Sequence, residues 1–204
     1  MKLYRLDCAE IGAEEMRIIC EHFPQRFERS MRYIDERDRL LCAASAVLLY
    51  RVLGLHDEGR IKTLPSGKPY IDGGPAFSIS HSGERCILAV SEEGTVGIDI
   101  EKLDESNLIA APAVLTAAEF EWMSTSPLER FHILWTRKES IYKALGGSDD
   151  PKMIDALNAA DRDRLHIASL VSGGYALSIC AEEPFDLPEP IDIGAEFTKT
   201  IQQT

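Results

Sequence analysis

The segment from about residue 35 to residue 53 constrains the fold most, because it predicts a long helix without a polar side. Its middle, residues 40–49, is apolar nearly all round, which is typical of a helix buried at the centre of a domain. Gly54 follows the last apolar residue and supplies a helix stop. A chain of 204 residues can enclose such a helix in one large domain or in two halves of about 100 residues each.

The rest of the chain mixes helices and strands without strict alternation. The patterns predict helices over residues 13–22, from 117, and over 128–145, and strands over 3–8, 76–80, 86–91, 95–100, 164–171 and 175–181. A turn at residues 92–94 predicts a hairpin between its flanking strands, and residues 172–174 predict a closing hairpin. The tail after Pro184 contains further prolines and is expected to be peripheral. This order favours an α+β fold over a doubly wound sheet.

Charge and cysteine content disfavour several classes of protein. The formal net charge is −12 and the isoelectric point is about 4.9, which argues against a nucleic-acid partner. The five cysteines are widely spaced without a C-x-x-C pair, so neither a disulfide framework nor a zinc site is expected. The sequence shows neither an uncharged apolar run of about 18 residues nor a secretory signal pattern. We therefore expect a cytoplasmic protein that is not bound to a membrane.

Two carboxylates lie close together in the segment Gly97-Ile98-Asp99-Ile100-Glu101. Residues two apart on a strand share a face, so Asp99 and Glu101 point one way and the isoleucines point the other way, into the core. Adjacent carboxylates repel each other, and either solvent at a sheet edge or a shared cation relieves that repulsion. The segment alone leaves both explanations open, and a solvated edge is the more ordinary one.

A second set of polar residues follows the predicted helix over 128–145. Trp135, Glu139 and Lys143 are spaced four apart and therefore lie on one helical face. An ion pair between Glu139 and Lys143 within the helix would explain them. Alternatively, Glu139 adds a third carboxylate to the strand pair, which makes an oxygen site suited to Mg²⁺, with Lys143 near a phosphate. Glu119 is a possible fourth carboxylate, although its place in a capping box that begins at Thr116 already explains it.

Several residues suit a phosphate ligand. The segment Phe77-Ser78-Ile79-Ser80-His81-Ser82-Gly83 ends a strand with hydroxyls, backbone N–H groups and an imidazole, which can bind a phosphate. Lys68 precedes Pro69 in a stiff turn. A basic stretch contains Arg26, Arg29, Arg32, Arg37 and Arg39. Arginines bind phosphate through a bidentate fork, so these residues suit a phosphate ligand. A solvated helical face would explain them equally well.

In combination these motifs resemble the 4′-phosphopantetheinyl transferase superfamily. In chain order they are G-K-P, F-S-I-S-H-S-G, G-I-D-I-E, T-A-A-E-F and L-W-T-R-K-E-S-I-Y-K, and they are similar in order and spacing to the larger, surfactin-synthetase-activating type of the family. The specific motifs lie within residues 26–147. The run from Ala144 to Asp150 differs from the family pattern, because it lacks a second lysine and turns acidic.

The resemblance implies a fold and a set of site residues. The fold would be a pseudo-dimer of two similar α/β halves, which we divide into residues 1–95 and 96–204, with the active site in the cleft between them. The resemblance implies that Asp99, Glu101 and Glu139 hold Mg²⁺ with the pyrophosphate of coenzyme A. It implies further contacts to coenzyme A: Ser80, His81 and Lys143 at the phosphates, Lys68 and Pro69 near the nucleotide, and Arg39, with Arg32, at the 3′-phosphate.

The implied activity is transfer of phosphopantetheine from coenzyme A to a serine of an apo-acyl or peptidyl carrier protein, with release of 3′,5′-ADP. Glu139 is the first candidate for the base that takes the serine proton, and Glu101 is the alternative; Lys143 would stabilise the transferred group. Because one chain carries both halves, a monomer is expected. Two alternatives remain: a non-catalytic relative that binds carrier protein or coenzyme A, and a metal-dependent phosphohydrolase.

Overall fold

The structure is a computed structural model, and it describes residues 1–147, 150–158 and 165–193. The helices are α1 (Ala13–His22), α2 (Pro24–Ser30), α3 (Glu36–Leu53), α4 (Ala111–Val114), α5 (Ala117–Met123) and α6 (Pro127–Ala144). The strands are β1 (Lys2–Asp7), β2 (Ile61–Thr63), β3 (Pro69–Ile71), β4 (Ala76–Ser82), β5 (Arg85–Ser91), β6 (Val96–Lys102), β7 (His166–Ser172), β8 (Tyr175–Ala181) and β9 (Ile191–Asp192). The predicted α+β class is confirmed. Within the described ranges, none of these helices has the length and apolar character needed to cross a membrane.

The predicted central helix is α3. Asp35 caps its N-terminus, where the carboxylate accepts a hydrogen bond from the Arg37 N–H at 2.8 Å. Gly54 ends the helix with a φ of 59°, a left-handed conformation that glycine adopts without strain. Most residues from Leu41 to Leu49 are buried, and they pack with side chains of β1, β4 and β5 in one apolar cluster. The prediction of a buried central helix is confirmed.

The two halves of the chain repeat one topology. In the first sheet β1 pairs antiparallel with β5, which pairs with β4. In the second sheet β6 pairs antiparallel with β8, which pairs with β7. An 18-residue helix, α3 or α6, lies between the first strand and the hairpin of each half. This repetition supports the expectation of two similar halves, and the predicted division at residues 95 and 96 falls between β5 and β6.

The predicted hairpin around residues 92–94 is wrong. β5 pairs with β1 and β4, whereas β6 pairs with β8. The turn, in which Gly94 has a φ of 66°, therefore carries the chain from one sheet to the other. The predicted closing hairpin is confirmed as β7 and β8, although the first predicted residue, Arg164, lies outside the described residues.

The prolines after Pro184 predicted a peripheral tail, but the described part of the tail, to residue 193, is attached to the fold. β9 pairs in parallel with β1 and so joins the sheet of the first half. Asp192 forms an ion pair with Arg5 of β1. Phe185 and Leu187 pack against an apolar cluster formed by both sheets. This part of the tail thus links the second half of the chain to the first.

The helix α2 was not predicted, because Pro24 follows the predicted helix over residues 13–22 and a proline usually ends a helical pattern. Pro24 instead occupies the first turn of α2, where its missing N–H removes no helical hydrogen bond. Arg26 and Arg29 therefore lie on a short helix that packs beside α3. This placement decides which arginines reach the cleft described below.

Candidate functional site

The two halves meet where β4 lies against β6 and where α6 packs across β6. Gly97, Asp99 and Glu101 share one face of β6. A Cβ atom on Gly97 would lie 1.9 Å from the Ser140 carbonyl oxygen and 2.5 Å from the Ala144 nitrogen. Only a glycine therefore lets α6 approach this closely. Its close packing brings the side chains of Glu139 and Lys143, one turn apart on α6, alongside the carboxylates of β6.

The three predicted carboxylates line one cavity of about 370 Å³. Asp99 is buried, with 4% of its surface exposed, and Glu101 and Glu139 are half-buried. The Lys143 ammonium donates to Asp99 Oδ1 at 2.6 Å and to Ser80 Oγ at 3.2 Å. The second oxygen, Asp99 Oδ2, is buried and lacks a hydrogen-bond partner among the described residues.

These contacts bear on the alternatives left open by the sequence. The solvated-edge explanation fails for Asp99, because its carboxylate is enclosed. The ion pair expected within the helix is replaced by one between Lys143 and Asp99, which joins α6 to β6. A buried carboxylate oxygen without a partner, beside two further carboxylates, is a site that a hard cation such as Mg²⁺ fits. Among the described residues, no group of three or more His, Cys, Asp or Glu side chains is already arranged around a common metal position.

Burial raises the pKa of all three carboxyl groups. For Asp99, desolvation outweighs the attraction of Lys143 and the hydrogen bond from Ser80, so its pKa rises. Desolvation also raises the pKa of Glu101 and of Glu139, and repulsion from Asp99 raises each further. The cluster therefore holds more negative charge than Lys143 alone compensates, and it favours an added cation or a proton.

We expect Glu139→Gln to raise the melting temperature of the ligand-free protein by about 2 °C, from relief of roughly 0.5–1 kcal/mol of charge repulsion. Because the folded-state pKa of Glu139 lies above its ordinary value of 4.5, the carboxylate destabilises the fold increasingly as the pH rises through that pKa. Thermal melts in a chelator should therefore show a larger gain at pH 8 than at pH 5. Glu92→Gln, in an exposed turn, should change nothing. A gain that is equal at both pH values would contradict the assignment.

A second and larger cavity, of about 930 Å³, adjoins the first. Arg26, Ser45 and His81 line both cavities, and Arg26 donates to Ser45 Oγ at 2.6 Å. Arg29 and Arg32 extend the basic lining of the larger cavity. Partial desolvation, followed by repulsion from the Lys143 ammonium, lowers the pKa of His81 and so favours its neutral imidazole. An acidic cluster thus meets a basic cavity at the seam of the two halves.

Two of the predicted ligand-binding residues, Arg39 and Lys68, have other contacts. Arg39 does not line the larger cavity, and its guanidinium donates to the Tyr33 carbonyl oxygen at 3.2 Å. The Lys68 ammonium donates to Thr95 Oγ1 and to the carbonyl oxygens of Val96 and Ala144, at 3.1, 3.2 and 3.4 Å. It thereby fastens the end of α6 to the start of β6. Pro69 and Lys68 line a smaller cavity of about 220 Å³, which Lys143 also borders.

Glu119 is separate from the acidic cluster. Its capping box with Thr116 is formed as predicted. Its carboxylate also forms an ion pair with Lys138 at 2.9 Å, with both side chains fully buried, and accepts a hydrogen bond from the Ala156 N–H at 2.7 Å. In the motif on α6, Lys138 thus points into the protein, whereas the adjacent Glu139 lines the cleft. Glu119 has a structural role here.

Sequence reasoning gave no individual role to two residues of the site. Ser82 donates to Glu101 Oε2 at 2.7 Å; it lies two positions after Ser80 on the same strand, so the period-two pattern could have identified it. Ser45 on α3 lines both cavities, and an isolated serine in an apolar helix gave no signal. Arg26 was noted only as part of the basic stretch, because the unpredicted helix α2 fixes which arginines face the cleft.

Comparisons with known proteins agree with this architecture. The family model of the 4′-phosphopantetheinyl transferase superfamily matches residues 95–185. The chain is 33% identical over 125 residues to the 4′-phosphopantetheinyl transferase gsp of Aneurinibacillus migulanus, and this alignment covers 57% of this chain and 52% of the relative. It is 33% identical over 129 residues to the 4′-phosphopantetheinyl transferase AcpT of Salmonella typhi, and the alignment covers 59% of this chain and 66% of the relative. It is 30% identical over 162 residues to the 4′-phosphopantetheinyl transferase psf-1 of Bacillus pumilus, and the alignment covers 72% of this chain and 69% of the relative.

The fold and the cleft define a class of two-lobed α+β proteins in which an acidic cluster and a basic cavity meet between the lobes. Within that class, the chain belongs to the 4′-phosphopantetheinyl transferase superfamily. The matched region spans between about half and two thirds of the length of the first two relatives named above.

Proposed function

We propose that this protein is a 4′-phosphopantetheinyl transferase, which moves phosphopantetheine from coenzyme A to a serine of an apo-acyl or peptidyl carrier protein. The observation that carries this proposal is the unpartnered, buried Asp99 Oδ2, which lies beside Glu101, Glu139 and Lys143 and next to a basic cavity. A ligand with a pyrophosphate and a further phosphate suits that combination of charges. Coenzyme A is such a ligand, and family membership supports it.

The transfer forms one P–O bond and breaks another. The carrier serine oxygen attacks the β-phosphorus of coenzyme A, and the bond to the 3′,5′-ADP leaving group breaks. The Lys143 ammonium, already directed into the cavity, stabilises the charge on the transferring phosphoryl group. The neutral His81 imidazole donates a hydrogen bond to a phosphate oxygen. Both groups line the cavity of about 370 Å³.

We propose that Asp99, Glu101 and Glu139 hold Mg²⁺ when coenzyme A is bound. The fit rests on the orphaned Asp99 oxygen and on the raised pKa values of the three carboxyl groups. When bound, Mg²⁺ would neutralise and orient the pyrophosphate. Lys143 pairs with Asp99 in the ligand-free protein. When the cation and the pyrophosphate bind, a phosphate oxygen would offer Lys143 an alternative anionic partner.

The serine proton requires an acceptor. Glu139 is the first candidate, directly or through a water molecule, because desolvation raises the pKa of its carboxyl group and it has no competing hydrogen bond among the described residues. Glu101 is the alternative, although the hydrogen bond from Ser82 stabilises its charged form and makes it a weaker base. A single chain carries both halves of the cleft, which supports a functional monomer.

Incubation with coenzyme A, Mg²⁺ and a panel of apo-carriers tests the proposal. Mass spectrometry should find phosphopantetheine on one serine of at least one carrier. A non-catalytic relative would bind coenzyme A or carrier without this modification. A metal-dependent phosphohydrolase would release phosphate or nucleotide from coenzyme A when no carrier is present.

The proposed metal site predicts a linked thermal shift. Coenzyme A should raise the melting temperature modestly without Mg²⁺ and clearly more with it, since a ligand specific to the native state stabilises by about RT ln(1 + [L]/Kd). Differential scanning fluorimetry with coenzyme A, with and without Mg²⁺, measures this difference. An identical shift under both conditions would mean that the cation does not bridge protein and pyrophosphate.

The basic cavity predicts the position of the 3′-phosphate. Arg32→Ala should raise the KM for coenzyme A about ten- to hundredfold, the loss expected for one charge-assisted hydrogen bond, with little change in kcat, because this phosphate is remote from the reacting bond. With dephospho-coenzyme A, which lacks this phosphate, the substitution should be nearly silent. Arg39→Ala should have a smaller effect, because Arg39 donates to Tyr33 outside the cavity. A larger penalty for Arg39→Ala, seen only with coenzyme A, would assign the phosphate to Arg39 instead.

A further inference from the structure

Strand β4 presents a row of serines to the edge of β6. Ser78, Ser80 and Ser82 alternate along β4, and each hydroxyl accepts a hydrogen bond from a backbone N–H of β6. The bonds run from Ile98 N–H to Ser78 at 3.1 Å, from Ile100 N–H to Ser80 at 3.4 Å and from Lys102 N–H to Ser82 at 3.0 Å. Alternate N–H groups of β6 point away from its partner β8, and the hydroxyls take the place of a second partner strand. The row therefore joins the two sheets.

Two of these hydroxyls also hold a carboxylate. Ser80 Oγ donates to Asp99 Oδ1 and Ser82 Oγ donates to Glu101 Oε2, each at 2.7 Å. A serine hydroxyl has one proton to donate, so in both residues that proton is directed at a carboxylate. Ser78 lies at the corresponding place opposite Gly97, which has no side chain to bind. Ser78 is therefore a control for the other two serines, because it makes the same contact with the β6 backbone without holding a carboxylate.

We infer that Ser80 and Ser82 are positioning residues, which orient the carboxylates of Asp99 and Glu101 for the cation and the pyrophosphate. Each serine fixes one oxygen of its carboxylate, and in Asp99, which lines the cavity of about 370 Å³, this leaves Oδ2 as the unpartnered oxygen. Serines of the first half of the chain thereby orient the carboxylates of the second half. This inference rests on the proposed function, and it differs from direct contact of the Ser80 hydroxyl with phosphate.

The comparison of Ser82→Ala with Ser78→Ala separates positioning from structural support. Both substitutions remove an acceptor for a β6 N–H, so both should lower the melting temperature, but only Ser82→Ala releases a carboxylate. Loss of a hydrogen bond that orients a metal ligand typically weakens metal affinity ten- to hundredfold. In thermal-shift titrations with coenzyme A, Ser82→Ala should raise the half-saturating Mg²⁺ concentration by that factor, and Ser78→Ala by less than twofold. Ser82→Thr keeps the hydroxyl at a half-buried cavity wall and should restore the wild-type value.

The outcomes distinguish this inference from the function on which it rests. The wild-type protein could bind coenzyme A in a Mg²⁺-dependent way while Ser82→Ala and Ser78→Ala require equal Mg²⁺ concentrations. That result would leave the proposed function standing and overturn the positioning role. Failure of Ser82→Thr to restore the Mg²⁺ requirement also overturns it. If the wild-type protein itself shows no Mg²⁺-dependent shift with coenzyme A, the metal site of the proposed function fails and the inference fails with it.

Discussion

Asp99→Asn is expected to lower the transfer rate about a hundred- to thousandfold, the loss seen when one preorganised electrostatic contact to a transition state is removed. The amide is isosteric, so its oxygen can still accept from Lys143 and Ser80 as Asp99 Oδ1 does. The unpartnered Oδ2 becomes an NH₂ group, which cannot bind a cation. The substitution therefore removes charge from the cluster and preserves its packing. Steady-state kinetics and a thermal melt of the ligand-free protein measure the two effects separately.

Ser178→Ala is the matched control for Asp99→Asn. Ser178 lies directly opposite Asp99 in the register of β6 and β8 and is fully buried. Its hydroxyl bonds with Thr136 and Ser169 rather than with the carboxylates, so its loss should lower stability and leave transfer largely intact. Near-normal transfer by Asp99→Asn would remove the basis for the cation site.

Gly97→Ala is expected to have the second large effect, on both stability and activity. The added methyl group would overlap the backbone of α6 at Ser140 and Ala144, and backbone atoms cannot move aside as a flexible side chain can. Overpacking of this kind typically destabilises by about 1–3 kcal/mol, and sometimes by more. If α6 shifts outward by about 1 Å, Glu139 and Lys143 move away from Asp99, and a displacement of that size can lower the rate about a hundredfold.

Gly12→Ala is the control for Gly97→Ala. Gly12 lies at the N-terminus of α1 with a φ of −107°, and its added Cβ would meet only the flexible Glu15 carboxylate, at 3.3 Å. Chemical denaturation should therefore show a much smaller loss for Gly12→Ala. Wild-type stability and transfer in Gly97→Ala would contradict the close packing of α6 on β6, and with it the geometry of the site.

The long elements and the acidic cluster were predictable because their signals are local. The buried stripe of α3 and its Asp35 and Gly54 ends follow from residues within a few turns of each other. The shared face of Asp99 and Glu101 follows from the strand period alone. The local pattern left the juxtaposition of Glu139 with these carboxylates as one of two alternatives, because residues forty positions apart leave no periodic signal. The family resemblance favoured it.

Long-range pairing caused the errors. The turn at residues 92–94 looks like a hairpin turn, but β6 prefers β8, which lies some eighty residues later in the chain. The alternation along β4 predicted a strand with its serines on one face, but it did not indicate what that face contacts. The serines satisfy the N–H groups of β6, and Ser78 and Ser80 are buried. In each case the partner that decides the outcome is distant in sequence.

Individual cations were the least predictable part of the site. Lys68 lies in a motif that suggested nucleotide contact, and its ammonium donates to carbonyl oxygens of two other elements. The family resemblance implied Arg39 at the 3′-phosphate, but α2 directs Arg26 to the cleft and Arg39 lines neither of its two cavities. A long flexible side chain reaches several partners, so its contact depends on packing that the local sequence does not specify.

The central claim is that the cleft transfers phosphopantetheine to a carrier serine, and release of 3′,5′-ADP tests it most directly. With coenzyme A, Mg²⁺ and an apo-carrier that the protein modifies, one 3′,5′-ADP should appear for each carrier modified. Release should cease when the acceptor serine of the carrier is replaced by alanine. Nucleotide or phosphate released from coenzyme A at the same rate with the alanine carrier, or without any carrier, would contradict the account.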